Sequence, residues 1–370
     1  MEWSPQQSAA LKAVQSWLAD PRGAKVFRLF GYAGTGKTTI AKEIAAGVRG
    51  KVMFMAFTGK AALVLSSKGC TGASTIHSAI YKVADGADGK PTFVLNRGSD
   101  VVLASLVIVD EVSMVGPDLG QDLLKLARRV LVLGDPAQLP PVKGTGFFIE
   151  DKPNFVLTEI HRQAADNPII RMSMDVREGR GLQLGTYGDS KVILRSQLEQ
   201  QEVLDADQVL IGLNRTRRTF NARMRELLGF TDAMPMRGDR LICLKNNKER
   251  GLLNGGLWDV EAAKVTDILA GKFRLVIATL QPDALFSASS KADVLIPSLF
   301  FEGREGEMHW SDRKEFDEFD YGYAITVHKS QGSQWDNVML FDESASFRES
   351  ATNWLYTAVT RAAERVTVVL

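Results

Sequence analysis

Several apolar runs in this chain show little alternation, and each ends in a polar or glycine-containing turn. Val26–Phe30, Lys51–Phe57, Val101–Val109 and Arg129–Leu133 read as buried parallel strands, since a half-buried strand would alternate. Helix-like spacing lies between them, as in Ile40, Ala41, Ile44, Ala45 and Val48 after the first run. Ser4-Pro5-Gln6-Gln7 offers an N-cap serine, a first-turn proline and a glutamine three residues on. It predicts a helix through Trp17-Leu18 that stops near Asp20-Pro21. Strands alternating with helices predict an α/β fold built on parallel sheets.

Farther along, the pattern marks boundaries. Asp85–Gly98 turns rich in glycine and aspartate beside the β-prone Thr92–Leu95, which predicts a small hairpin at about 82–99 inside a first core of 1–152. Phe155–Leu157 opens what reads as a second core, with a strand at Gln208–Leu213, over 153–245. Residues 238–320 read mostly as β, with strands at Arg240–Leu244, Trp258–Val265 and Phe273–Ala278. An inserted β domain over 246–320 ends in an acidic stretch, Glu302–Asp320, with eight acidic against three basic residues. The second core resumes over 321–370, with a strand at Val338–Phe341, a helix at Trp354–Ala363 and a strand at Val366–Leu370.

The strand-end turns carry the chemistry. Gly31-Tyr-Ala33-Gly34-Thr35-Gly36-Lys37-Thr38 fits G-x-x-x-x-G-K-[ST] between a strand and a helix beginning at Thr39. Such a loop turns backbone N–H groups onto phosphates at a helix N-terminus. Lys37 would reach the β- and γ-phosphates, and Thr38 would hold Mg²⁺ through its hydroxyl. A second apolar run ends in Asp110-Glu111, which places a Mg²⁺ ligand beside a general base. Gln138, in Gly134-Asp-Pro-Ala-Gln-Leu-Pro140-Pro141, is placed to sense the γ-phosphate, with the rigid prolines relaying that contact. Gln7 is open to two readings, a helix cap or an adenine contact. Asn214-Arg215-Thr-Arg217-Arg218, with Arg223 and Arg225, is the densest basic cluster and fits either nucleic-acid phosphate or a solvated helix face. Phe93 is open between an exposed wedge and a cover for the hairpin base.

Composition narrows the setting. The 370 residues suit two or three domains, and 45% apolar with 24% charged residues is ordinary for a globular chain. A net charge of +1 means that any nucleic-acid contact uses local patches. Two distant cysteines make no metal spacing and suit a reducing compartment. Neither a secretion signal nor a membrane-spanning run is evident, so the expected setting is the cytoplasm, or the host's if the chain is phage-encoded.

Taken in order, Gly31–Thr38, Thr58–Ala62, Ser74–His77, Asp110–Glu111, Gly134–Gln138, Arg162–Gln163, Thr326–Gln331 and Val359–Arg361 resemble the motif series of superfamily 1 DNA helicases. The resemblance is to the RecD-like branch that includes the phage Dda helicase, and it spans Gln7 to Arg361. It implies two RecA-like cores with ATP and Mg²⁺ between them and single-stranded DNA across their top. The hairpin would be a strand-separating pin with Phe93 at its tip, and 246–320 an SH3-like β domain. It implies that Gln7 contacts adenine, that Gly31–Thr39, Asp110, Gln138 and Gly332 form the nucleotide site, and that Arg162 and Arg361 are arginine fingers from the second core. Thr58, Gly59, Lys60, Ser74, Thr75, His77, Pro140, Asn214, Arg215, Thr326, His328 and Lys329 would meet the DNA strand. Gln334 departs from the pattern, standing where many relatives carry an acid.

By this resemblance the chain is a monomeric ATP-dependent helicase moving 5′ to 3′ on single-stranded and forked DNA, with replication or recombination proteins as partners. Two rivals remain at this level: a translocase or recombination subunit that unwinds poorly, and a P-loop switch protein. Against the switch, Asn247-Lys248 is followed by Glu249-Arg250 rather than by the x-Asp of a guanine-reading motif. Residue types do not separate DNA from RNA.

Overall fold

The computed structural model describes residues 3–85, 91–141, 146–159, 167–247, 249–266, 274–282, 291–309 and 311–370. Contacts divide the chain into two units. The first is Met1–Ser190 with Gln331–Gln334 and Phe347–Ala363; the second is Lys191–Ser330 with Trp335–Ser346 and Glu364–Leu370.

The first unit opens on a helix, Pro5–Ala19, closed by the expected capping box between Ser4 and Gln7. Its sheet has the strand order Ser74–Thr75, Val52–Ala56, Leu106–Asp110, Val130–Gly134, Val26–Gly31, Phe155–Leu157, and the pairs are parallel. Both faces are covered, which explains the unbroken apolar runs. Leu106, Ile108, Leu131 and Leu133 join Ala10, Val14, Ile40 and Ile44 on one face. Val107, Val109, Val130 and Val132 join Ile76, Ile80, Leu123 and Phe148 on the other. Successive residues of one strand thus feed two cores. An antiparallel hairpin of Tyr81–Asp85 and Pro91–Leu95 stands beside this sheet, with Val83 opposite Phe93.

Three expectations change here. Phe155–Leu157 does not open the second core; it pairs with Leu29–Gly31, and Leu157 is buried beside Phe27 and Leu29. So short an apolar strand carries no mark of the sheet it will join. The run Val101–Val109 is two elements, a 3-10 turn at Asp100–Leu103 capped by Ser99 and a strand from Leu106. The last helix spans Ala351–Val359 rather than Trp354–Ala363, and the chain returns to strand at Ala362–Val369.

In the second unit Gln208–Ile211 pairs in parallel with Ala324–Thr326 on one side and with Trp335–Phe341 on the other. Lys191–Ile193 pairs in parallel with Thr367–Val369. A separate five-stranded sheet has the order Ala292–Pro297, Leu275–Pro282, Leu257–Thr266, Arg240–Cys243, Phe319–Tyr321, with its described pairs antiparallel. The strand expected at Arg240–Leu244 forms as Arg240–Cys243 and belongs to this sheet, ahead of the insertion's expected start at 246, and the sheet buries Trp258 and Phe319. No helix among the described residues is long and apolar enough to cross a membrane.

Candidate nucleotide and nucleic-acid sites

Parallel strands place their carboxyl ends on one edge of a sheet, where open α/β sheets bind ligands. On that edge of the first unit Gly31, Asp110 and Gly134 end their strands, and the last two line a cavity of about 200 Å³. Lys37, Thr38, Glu111, Gln138 and Arg361 are among its lining residues. The loop from Gly31 reaches the helix Lys37–Gly47 through Gly34 and Gly36, both left-handed at φ 77° and 82°. A Cβ on Gly36 would also come within 2.8 Å of Gln7 Nε2 and would displace that amide.

Gln7 engages both of its polar atoms. Its Oε1 accepts from Ser4 N–H at 3.1 Å, and its Nε2 donates to the Thr35 carbonyl at 3.2 Å. It is a cap that also braces the loop. Thr35 is buried and donates its hydroxyl to the Tyr32 carbonyl at 2.8 Å. Lys37 Nζ donates to the carbonyls of Gly31 at 2.5 Å and Tyr32 at 2.9 Å. These are neutral partners, so the ammonium keeps its charge for an anion. Thr39 lies half-buried one residue beyond Thr38 on the same helix.

The acidic side of the cavity is equally ordered. Thr38 Oγ1 donates to Asp110 Oδ2 at 3.3 Å, and Glu111 N–H donates to Asp110 Oδ1 at 2.8 Å. Burial holds the Asp110 carboxyl above its ordinary pKa, as does the adjacent Glu111 charge, while Lys37 opposes both. A hydroxyl and a carboxylate facing a charged lysine fit a hard divalent cation, which would favour the ionised acid. Among the described residues no group of three His, Cys, Asp or Glu is placed to hold a metal by itself. Glu111 adopts a left-handed backbone at φ 56°, ψ 47°, rare for a residue with a side chain. Its Oε1 accepts from Gly332 N–H at 3.1 Å and from Arg361 Nη1 at 3.4 Å. Arg361, expected in the second core, belongs by its contacts to the first unit. Arg162 and Gln163 lie outside the described residues.

Sequence reasoning missed two residues of this site. Asp135 is buried, its pKa raised by burial, and its Oδ2 accepts the Tyr356 hydroxyl at 2.8 Å. The same Tyr356 oxygen accepts from Ala33 N–H at 2.9 Å. Asp135 stands inside a quoted motif and Tyr356 just before another, but nothing in the spacing says that they meet.

The expected DNA-contact residues divide. Thr58 caps the helix Gly59–Ser67 by accepting from Ala61 N–H at 3.1 Å. Lys60, on that helix, is only 3% exposed, which does not present it to a phosphate chain, contrary to expectation. Thr75 caps Ile76–Ile80 through Ser78 N–H at 3.1 Å, and Ser74 shares its short strand. His77 is exposed, its ring 4.5 Å from that of Phe93 and 4.8 Å from that of Tyr81. Phe93 is 63% exposed although its ring meets that of His77, and it stands in the middle of its strand opposite Val83. Pro140 is half-buried at the end of the Gln138 loop.

In the second unit Thr326 accepts from Lys329 N–H at 3.4 Å, and His328 is half-buried with its pKa lowered by that burial. The basic helix Asn214–Leu227 is largely committed. Arg217 pairs with Asp320, Arg218 with Glu305, Arg223 with Glu226 and the buried Arg225 with Asp239. Asn214 accepts from Arg217 Nε at 3.3 Å. Arg215 is exposed and makes no ion pair among the described residues.

Residues 2–197 match a family described as an AAA domain, and residues 321–369 a UvrD-like helicase C-terminal domain. The chain is 30% identical over 361 residues to the ATP-dependent RecD2 DNA helicase of Deinococcus radiodurans, a match that covers 93% of this chain and 46% of that protein. It therefore spans less than half the length of that relative. With the ATP-dependent DNA helicase Pif1 of Bdellovibrio bacteriovorus it shares 24% identity, over 91% of this chain and 81% of the relative. Its fold is similar to that of Pif1 helicase from Bacteroides in complex with ADP-AlF3 and ssDNA. The TM-score is 0.57 at 17% identity, over 99% of this chain and 92% of that one.

Proposed function

The chain belongs to the AAA-domain family and to the RecD- and Pif1-like helicases of superfamily 1, and from that premise we propose that it is an ATP-dependent DNA helicase. The observation that supports this most directly is the single cavity gathering Lys37, Thr38, Asp110, Glu111, Gln138 and Arg361. Lys37 and the N–H groups of Gly31–Thr39 bind and orient the phosphates, with Gln138 at the γ-phosphate. Thr38 and Asp110 would hold Mg²⁺, which supplies positive charge to the phosphate oxygens. Glu111 takes the proton of the attacking water. To do so it must exchange its bond with Arg361, and the same exchange frees the guanidinium to stabilise charge on the phosphoryl group. Gly332, whose N–H also holds Glu111, lines the nucleotide cavity. An adenine contact by Gln7 needs release of one of its two bonds.

Single-stranded and forked DNA is the proposed substrate, and the strand is gripped through Ser74, Thr75, His77, Arg215, Thr326, His328 and Lys329. Contacts of this kind reach backbone and stacked bases, which makes binding tolerant of sequence and sensitive to salt. The exposed Phe93 supports a separating pin for its hairpin. The parallel sheets suit two RecA-like cores and the five-stranded sheet an SH3-like domain. A monomer moving 5′ to 3′ in the cytoplasm, with replication or recombination proteins as partners, completes the reading.

A strand-displacement assay with 5′-tailed and 3′-tailed duplexes tests it. ATP-dependent release from the 5′-tailed substrate is expected. Release from neither substrate would sink the helicase reading, and release from the 3′-tailed one alone would reverse the polarity. Phe93→Ala should lower unwinding several-fold while DNA-stimulated hydrolysis continues, and unchanged unwinding would remove the pin.

A further inference from the structure

The helix Ala351–Val359 carries a polar row at i, i+3 and i+4, Asn353, Tyr356 and Thr357, which places all three on one face. That face meets the loop after Gly134 group by group. Asn353 Nδ2 donates to the Ala137 carbonyl at 3.0 Å and reaches the Gln138 carbonyl at 3.3 Å. Thr357 Oγ1, fully buried, accepts from Leu139 N–H at 2.8 Å. Tyr356 donates to Asp135 at 2.8 Å and, through the same oxygen, accepts from Ala33 N–H at 2.9 Å. Two of the side chains thereby satisfy backbone groups on both sides of Gln138, and the third joins the Asp135 carboxylate to the phosphate loop.

We propose that Asn353, Tyr356 and Thr357 are positioning residues that hold the Gln138 loop and the phosphate loop in one mutual arrangement. The inference rests on the reading of this cavity as an ATPase site. None of the three needs to touch the nucleotide. The Tyr356 hydroxyl has one proton, which it gives to Asp135, leaving its oxygen to accept from the loop; the chain N–H to O–H to carboxylate is therefore directional. Phenylalanine keeps the ring and its packing but removes both bonds. Small displacements of positioned groups cost rate more than binding, because the transition state demands the tighter geometry.

Tyr356→Phe and Thr357→Val, each close in shape to the native residue, test this by two readouts on the full chain. Amide hydrogen exchange without nucleotide should quicken at least tenfold at Ala33 in the first variant and at Leu139 in the second. Steady-state hydrolysis with single-stranded DNA should show kcat down about tenfold with KM for ATP within twofold of native, and Thr357→Ser should recover most of the Thr357→Val loss. Unchanged exchange at both amides, or native kcat in both variants, overturns the proposal. The ATPase reading fails separately, if the native chain does not hydrolyse ATP, and the exchange result still decides whether the clamp exists.

Discussion

The phosphate loop and the basic helix Asn214–Leu227 look alike as clusters of positive and polar residues, yet the fold treats them in opposite ways. Lys37 is held by two backbone carbonyls, neutral partners that fix its direction without cancelling its charge. Four arginines of the helix are each met by a carboxylate. Those pairs differ in depth. Arg225 and Asp239 are buried, and Tyr323 adds a hydroxyl to the same carboxylate at 2.9 Å. Arg223 and Glu226 stand in water, where such a pair contributes little. How far a positive residue is left to a ligand depends on the partners the fold gives it, and counting arginines does not reveal that.

The sharpest way to test this contrast is at the cavity. Glu111→Gln keeps the shape and the bond from Gly332 but removes the base, and kcat should fall by roughly 10²- to 10⁴-fold while ATP and DNA still bind. Near-native turnover would move the base elsewhere. Next in size, Arg225→Ala strands the buried Asp239 carboxylate and should cost about 3–5 kcal/mol in urea unfolding. A loss under 1 kcal/mol would show that the pair is not structural. The smallest effect separates two exposed neighbours. Arg215→Ala should weaken single-stranded DNA binding a few-fold and reduce the slope of log K against log salt by about one. Arg218→Ala, already paired with Glu305, should leave that slope unchanged. Equal slopes in the two variants would erase the distinction drawn within the helix.

Local chemistry made much of the first unit legible from sequence. Ser4 and Gln7 specify a capping box between near neighbours, and the structure forms it. The apolar runs predict strands covered on both faces, because period-two geometry sends consecutive residues into separate cores. Gly34 and Gly36 sit where the backbone must turn left-handed, so the loop is written in residue type.

Tertiary structure alone decided how distant segments meet. Phe155–Leu157 has the same apolar character as any core strand, and only register against Leu29–Gly31 assigns it to the first sheet. Lys60 reads as a phosphate contact until helix packing buries it. Tyr356 carries nothing in its surroundings to mark it as the shared partner of Ala33 and Asp135. The physical reason is common to all three. Dihedral preference, capping and periodicity act within a few residues, whereas burial and hydrogen-bond partnership depend on which groups close packing brings together across hundreds.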